Sequence, residues 1–134
     1  MIEYFHDRTI TAEQFIDLLK RSTLAERRPV HSLARMNKML AYGNILITAW
    51  QGDLLIGVSR GLSDFAFCTY LSDLAVDTAF QKQGIGKELI RLTYVAGGDD
   101  ATLILLAAPK AQAYYPKIGM ENFQHCFLIP RKNN

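Results

Sequence analysis

The sequence predicts a mixed α/β fold with one sheet covered by helices, and three observations lead there. Apolar residues near the N-terminus recur at helical spacing, the period then shortens to that of strands, and strand and helix patterns alternate after that. At 134 residues, with 49% hydrophobic and 21% charged, the chain has the size and balance of a single domain over 1–134. No repeat, low-complexity tract or Pro/Gly/Ser-rich linker divides it.

Ile2 to Phe5 is short and apolar and reads as a strand. Thr11 with Gln14 three residues later is a capping box, and Phe15, Leu18 and Leu19 follow at helical spacing to about Arg21. Pro29 interrupts. Ser32 caps a second helix through Leu33, Met36, Met39 and Leu40 that ends at Gly43. Ile45 to Trp50 and Leu54 to Ser59 are β-rich, and Gln51-Gly52-Asp53 joins them as a hairpin. Phe65 to Val76 is long enough for an extended strand. A helix with Ile85, Leu89, Leu92 and Ala96 on one face runs to Gly97-Gly98, and Asp99-Asp100 turns the chain. Thr102 to Ala107 reads as a continuous strand buried on both faces. Pro109 opens a short helix that Gly119 ends, and Glu121 to Ile129 supplies one or two final strands.

Fifteen Lys and Arg against thirteen Asp and Glu leave +2, too little to imply a nucleic-acid binder. The richest basic stretch, with Arg27, Arg28, Arg35 and Lys38, is broken by Pro29 and reads as a solvated face, with an anionic cofactor or partner as the alternative. The longest apolar run, Leu103 to Ala108, is too short to cross a bilayer, and Met1-Ile2-Glu3 does not open a secretory leader. Cys68 and Cys126 form no C-x-x-C pair, so reduced thiols in a cytoplasmic protein are expected. His6, His31 and His125 have no metal-ligand spacing, and no metal is expected.

The segment Gln81-Lys82-Gln83-Gly84-Ile85-Gly86 follows a strand and opens a helix. Such a junction aims backbone N–H groups and a helix N-terminus at one point, which suits a phosphate. Glycines let a ligand come close because no Cβ intervenes. A bare Gly-x-Gly is weak, since at about 7% glycine a chain this long holds one roughly every other time. A dinucleotide loop would need glycine where Leu89 stands, and a Walker loop would need Ser or Thr where Glu88 stands. The plain alternative is a tight strand-to-helix turn with no ligand.

Leu74-Ala-Val-Asp-Thr-Ala-Phe-Gln-Lys-Gln-Gly-Ile-Gly-Lys-Glu-Leu89 resembles the acetyl-CoA loop of the GNAT superfamily of N-acetyltransferases, with its Gln/Arg-x-x-Gly-x-Gly/Ala signature. Ala111-Gln-Ala-Tyr-Tyr-Pro-Lys-Ile-Gly-Met120 resembles that family's Ala-x-x-Phe-Tyr-x-Lys-x-Gly-Phe segment. Ser59 to Asp64 and Tyr70 to Asp73 resemble a group of small bacterial and plastid members. The likeness spans about residues 2–129, and only the first two motifs are specific. It implies a mixed, mostly antiparallel central sheet with a splayed strand pair, flanked by about four helices.

The resemblance implies acyl transfer from acetyl-CoA to an amine. Main-chain groups of Leu74, Ala75 and Val76 would meet the pantetheine arm, and N–H groups from Gln83 through Gly84, Ile85, Gly86 and Lys87 to Glu88 would cradle the pyrophosphate, with Gln81 and Lys82 near. Many relatives carry Asn where this chain has Ala108, so one cofactor contact is expected to be missing. A backbone N–H near Val76 would hold the oxyanion. Tyr115 matches the tyrosine that protonates the departing sulfur, although Pro116 complicates its placement. The strand Glu that serves some relatives as base is Tyr70 here, which leaves Asp73, Asp64 or a water relay ending on Ser72 or Tyr70, with a turn or hydrogen-bonding role as the plainer reading of each Asp. Strict alternation puts Asp73 opposite Tyr70 and Ser72, and a bulge would change that. Tyr4, Arg28, Arg60, Asp64, Tyr70, Ser72 and Tyr115 are the expected acceptor-pocket residues.

The expected function is N-acetylation of a small-molecule or peptide amine by direct attack in a ternary complex, without nucleic acid or membrane partners and with a homodimer left open. The first alternative is a non-catalytic acyl-CoA-binding regulatory module, and the second is a plain interaction domain.

Overall fold

A computed structural model describes residues 1–133. Its strands are β1 (Ile2–Phe5), β2 (Ile45–Gln51), β3 (Leu54–Ser63), β4 (Cys68–Val76) and β5 (Thr102–Leu105), and its helices are α1 (Ala12–Arg21), α2 (Leu33–Tyr42), α3 (Ile85–Gly97) and α4 (Tyr114–Lys117). The strands form one sheet in sequence order, with β1 to β4 antiparallel and β5 parallel to β4. Among the described residues no helix is long and apolar enough to cross a membrane.

Local chemistry explains the first helices. At α1 both halves of the capping box form, with Gln14 N–H donating to Thr11 Oγ1 at 3.1 Å and Thr11 N–H donating to Gln14 Oε1 at 2.8 Å. Ser32 Oγ accepts from Arg35 N–H and starts α2. α1 buries Ala12, Phe15, Leu18 and Leu19, joined by Met36 of α2, against Trp50, Leu55, Val58 and Ala75. The opposite face of the sheet packs Ile45, Ile47, Ala49 and Ile56 against Ile85 and Leu89 of α3.

Along α3 the buried stripe differs from the predicted one. It runs through Ile85, Leu89, Thr93 and Gly97, while Ala96 is exposed. Small groups at Thr93 and Gly97 let the helix settle on the sheet. Thr93 Oγ1 lies 2.6 Å from Ser59 Oγ, and a Cβ on Gly97 would stand 2.4 Å from Thr69 Oγ1.

Two further expectations are corrected. Thr102 to Ala107 is not a strand buried on both faces: β5 is an edge strand of four residues, and Ile104 and Leu106 are about half exposed. Only β4 flanks it, so neither a second neighbour nor a second covering layer exists among the described residues. Glu121 to Ile129 forms no strand, and Phe123, Phe127, Leu128 and Ile129 are exposed. The adjacent Phe127 and Leu128 put apolar groups on both parities, so the segment lacks the one-faced pattern that fixes register. The third long run is also shorter than predicted, because residues 64–67 form the turn between β3 and β4.

Gly97→Ala should destabilise the fold by about 1–3 kcal/mol through overpacking. Thr69→Ala removes the obstructing oxygen, so in chemical denaturation the double variant should lose less stability than the two single losses combined. Strict additivity would contradict the packing described.

Candidate active site

β4 shapes both sides of the site. Over Cys68 to Leu71 it lies between β3 and β5, but from Val76 back to Asp73 it pairs with β3 alone. The backbone edge of Leu74, Ala75 and Val76 that faces away from β3 therefore has no strand beside it among the described residues. Backbone donors and acceptors left without a strand suit a ligand that itself carries amides.

Asp77 ends this strand. Its carboxylate accepts from Ala79 N–H at 2.8 Å and from Arg21 Nη1, whose Nη2 also donates to the Leu55 carbonyl at 2.8 Å. This tie fixes the loop entry to α1, and sequence reading missed it because the partners are 56 residues apart. Lys82 (φ 65°) and Gly84 (φ 81°) both take the left-handed conformation. Glycine does so freely, whereas for Lys82 it costs on the order of 1 kcal/mol. α3 then begins at Gly84 without a side-chain cap. The N–H groups of Gln83, Gly84, Ile85, Gly86 and Lys87 have no protein acceptor among the described residues. Unpaired N–H groups at a helix start are the geometry that an anion needs.

Three details of the expected cradle change. Glu88 N–H donates to Gly84 O at 3.1 Å, inside the helix, so the free run stops at Lys87. The Glu88 carboxylate is held by Arg91 at 2.7 and 2.8 Å. Gln81 does not reach over the cradle: its Nε2 donates to the Val76 carbonyl at 3.1 Å and covers an acceptor expected for the pantetheine arm. Ala108 caps the turn that precedes α4, its carbonyl accepting from Ala111 N–H.

α4 lies against the cradle through a residue that sequence reading passed over. A Cβ on Gly86 would stand 3.0 Å from the Tyr114 hydroxyl and 3.9 Å from Val76 Cγ2. Tyr114 sits where the resembling family segment has Phe, so its hydroxyl is an addition legible in that one mismatch. Tyr115 packs edge-on against it with ring centroids 5.3 Å apart. Burial, then the Tyr114 hydroxyl, push Tyr115 above the ordinary phenol range, so it keeps its proton at neutral pH.

On the sheet face that carries α1 and α2, the register of β3 against β4 slips between Arg60 and Gly61. Arg60 faces Asp73 and Gly61 faces Leu71, so Ser72 is the extra residue. The bulge brings Asp73 onto the side of the sheet shared with Arg60 and Tyr70. Asp73 is fully buried, with one oxygen accepting from Arg28 Nε and the other from Arg60 Nε. This corrects two expectations. Accepting a proton at Asp73 would displace these bonds and strand two cations, so it is unsuited as a base, and Arg28 and Arg60 are engaged by it rather than open to an acceptor. Removing one partner of such a buried cluster costs about 3–5 kcal/mol.

Asp64 is corrected as well. Its Oδ1 accepts from the N–H groups of Ala66, Phe67 and Cys68 at 2.9, 2.8 and 3.1 Å, which closes the β3–β4 turn. Those backbone donors, Ala66 first, pull its pKa down to about 2, too low for a base at neutral pH. Tyr4 packs with the α3-side cluster, away from Arg60 and Tyr70. Tyr70 remains exposed in a row with Leu62 and Ile104.

Comparison with known proteins accords with this geometry. A family model described as an acetyltransferase (GNAT) domain matches residues 8–126. The histone acetyltransferase TAP1 of Glycine max is 35% identical over 69 residues, which make up 50% of this chain and 30% of that protein. The match thus spans under a third of the curated relative. Among solved structures, a probable acetyltransferase of meticillin-resistant Staphylococcus aureus superposes with a TM-score of 0.80 at 20% identity, over 98% of this chain and 100% of the other. The aminoglycoside N-acetyltransferase AAC(6')-Iy, solved in complex with CoA, gives 0.73 at 16% identity, over 99% and 96%. At such identities these structures attest the fold.

The Asp64 turn can be tested by titration. Because the folded pKa is depressed, the turn's contribution is present above the unfolded carboxylate value and is lost as pH falls from about 4 toward 2. NMR should find the Asp64 carboxyl titrating near 2, with exchange of the Ala66, Phe67 and Cys68 amides accelerating over that range. An ordinary titration near 4 would contradict the turn.

Proposed function

Because the chain belongs to the GNAT acetyltransferase family, we propose that it transfers the acetyl group of acetyl-CoA to a primary amine of a small molecule or peptide. The observation that carries this reading is the unpartnered stretch of β4 ending at the free amides of Gln83 to Lys87. A pantetheine arm has amides to lay along the first, and a pyrophosphate has charge for the second. The residues present fit the donor, with Leu74, Ala75 and Val76 along the arm and Gly84, Ile85, Gly86 and Lys87 around the phosphates. When bound, acetyl-CoA supplies a thioester activated toward amines.

The chain's own residues do the rest. The amine attacks within a ternary complex, so the new C–N bond forms as the C–S bond breaks. A backbone N–H near Val76 stabilises the charge on the carbonyl oxygen. Tyr115, which burial keeps protonated, gives its phenolic proton to the departing sulfur as the charge on that sulfur develops. With Asp73 and Asp64 both engaged, the amine proton leaves through water beside Tyr70 and Ser72. Acceptor selection falls to Tyr70 and the connection between α1 and α2.

The lack of a free carboxylate at Asp73 and Asp64 favours a second reading, a non-catalytic acyl-CoA-binding module. Incubation with acetyl-CoA and a broad panel of amines separates the two. The proposed enzyme releases thiol in an amine-dependent manner, whereas the module binds CoA in calorimetry and releases none. Tyr115→Phe should lower kcat by about tenfold or more with CoA affinity little changed. A rate equal to the parent's would remove Tyr115 as the general acid.

A further inference from the structure

The tightest polar assembly outside the donor loop is built on Ser72, the extra residue of the β4 bulge. Arg28 Nη2 donates to the Ser72 carbonyl at 2.7 Å, and Arg60 Nη2 donates to the Ser72 hydroxyl at 3.1 Å. The same two guanidinium groups hold the two oxygens of buried Asp73. Arg60 Nη1 adds a bond to the Met39 carbonyl of α2 at 3.0 Å. Arg28 belongs to the connection between α1 and α2, so that connection, α2 and β3 are all tied to the place where β4 parts from β5.

The arrangement is directional as well as cohesive. Planar guanidinium groups fix angles as well as contacts, because their donors form a rigid fork. The paired oxygens of Asp73 set the two forks relative to one another, and both converge on Ser72, one at its carbonyl and one at its hydroxyl. Arg28 is the member at the margin, with its side chain 21% exposed against 8% for Arg60 and 0% for Asp73.

We infer that Arg28, Asp73 and Arg60 form a positioning clamp that holds the α1–α2 connection, and the acceptor it receives, in register with the diverging edge of β4. The inference rests on the acetyltransferase reading. In it Arg28, Arg60 and Asp73 touch neither substrate. They set where the amine stands relative to the thioester carbon, and misplacement of reacting groups by about 1 Å costs up to roughly a hundredfold in rate.

Arg28→Gln tests this, because the residue is marginal enough for the variant to fold. Its kcat/KM for the best amine should fall about tenfold or more, while its CoA dissociation constant stays within about twofold of the parent's. Arg28→Lys, which restores the charge beside Asp73 but not the fork onto Ser72, should recover part of the loss. Unchanged amine kinetics, CoA affinity falling in step with activity, or no recovery in Arg28→Lys would each overturn the clamp. An active parent with an unaffected variant removes the clamp alone. A parent that neither binds CoA nor releases thiol removes the acetyltransferase reading and the clamp together.

Discussion

Between Arg60 and Gly61, β3 and β4 slip by one residue, and Ser72 is left facing no partner. The functional side of the molecule depends on that slip. Without it, strand alternation would turn Asp73 toward α3 and away from Arg60. With it, Asp73 enters the face under α1 and α2, while Leu74 and Val76 pack toward Ile85 and Leu89. The strand also twists more strongly at a bulge. β4 leaves β5 at this same point, and the free edge that follows is the donor cleft of the proposed function. A local irregularity in one ladder thus sets the packing of two layers and opens a site between strands.

The proposed anion site is likewise a matter of backbone. Glycine at 84 and the left-handed Lys82 bend the chain so that five amides point away from protein acceptors. None of this involves formal charge, so the modest +2 of the whole chain carries no information about it. Arg21 serves the loop from a distance by fixing Asp77. Of the basic residues that stand out in the sequence, Arg28 is turned to a buried carboxylate instead.

Legibility followed the range of the interaction. The caps at Thr11 and Ser32, the hairpin at Gly52 and the loop at Gly84 are governed by residues three or four positions apart, and all were readable. Asp73 was legible as a candidate and not as a clamp, because its partners lie 13 and 45 residues away. The sequence raised the bulge as a contingency without locating it, since register is set by pairing across strands. Asp64 fits the same rule: its N–H donors are two to four residues away in its own turn, and the turn reading stood open in the sequence beside the catalytic one. Edge status misled at Leu103 to Leu106: an apolar run signals burial only where neighbours exist on both sides. At Glu121 to Ile129, β-prone residues without a one-sided pattern did not make a strand.

In the proposed function the free edge of β4 and the amides at the start of α3 form one binding surface for a CoA thioester. Adding CoA to isotopically labelled protein while following backbone amide resonances tests it most directly. Saturable shifts concentrated at Leu74 to Val76 and Gln83 to Lys87 are expected. No shifts at millimolar CoA, or shifts confined to other surfaces, would contradict the proposed surface.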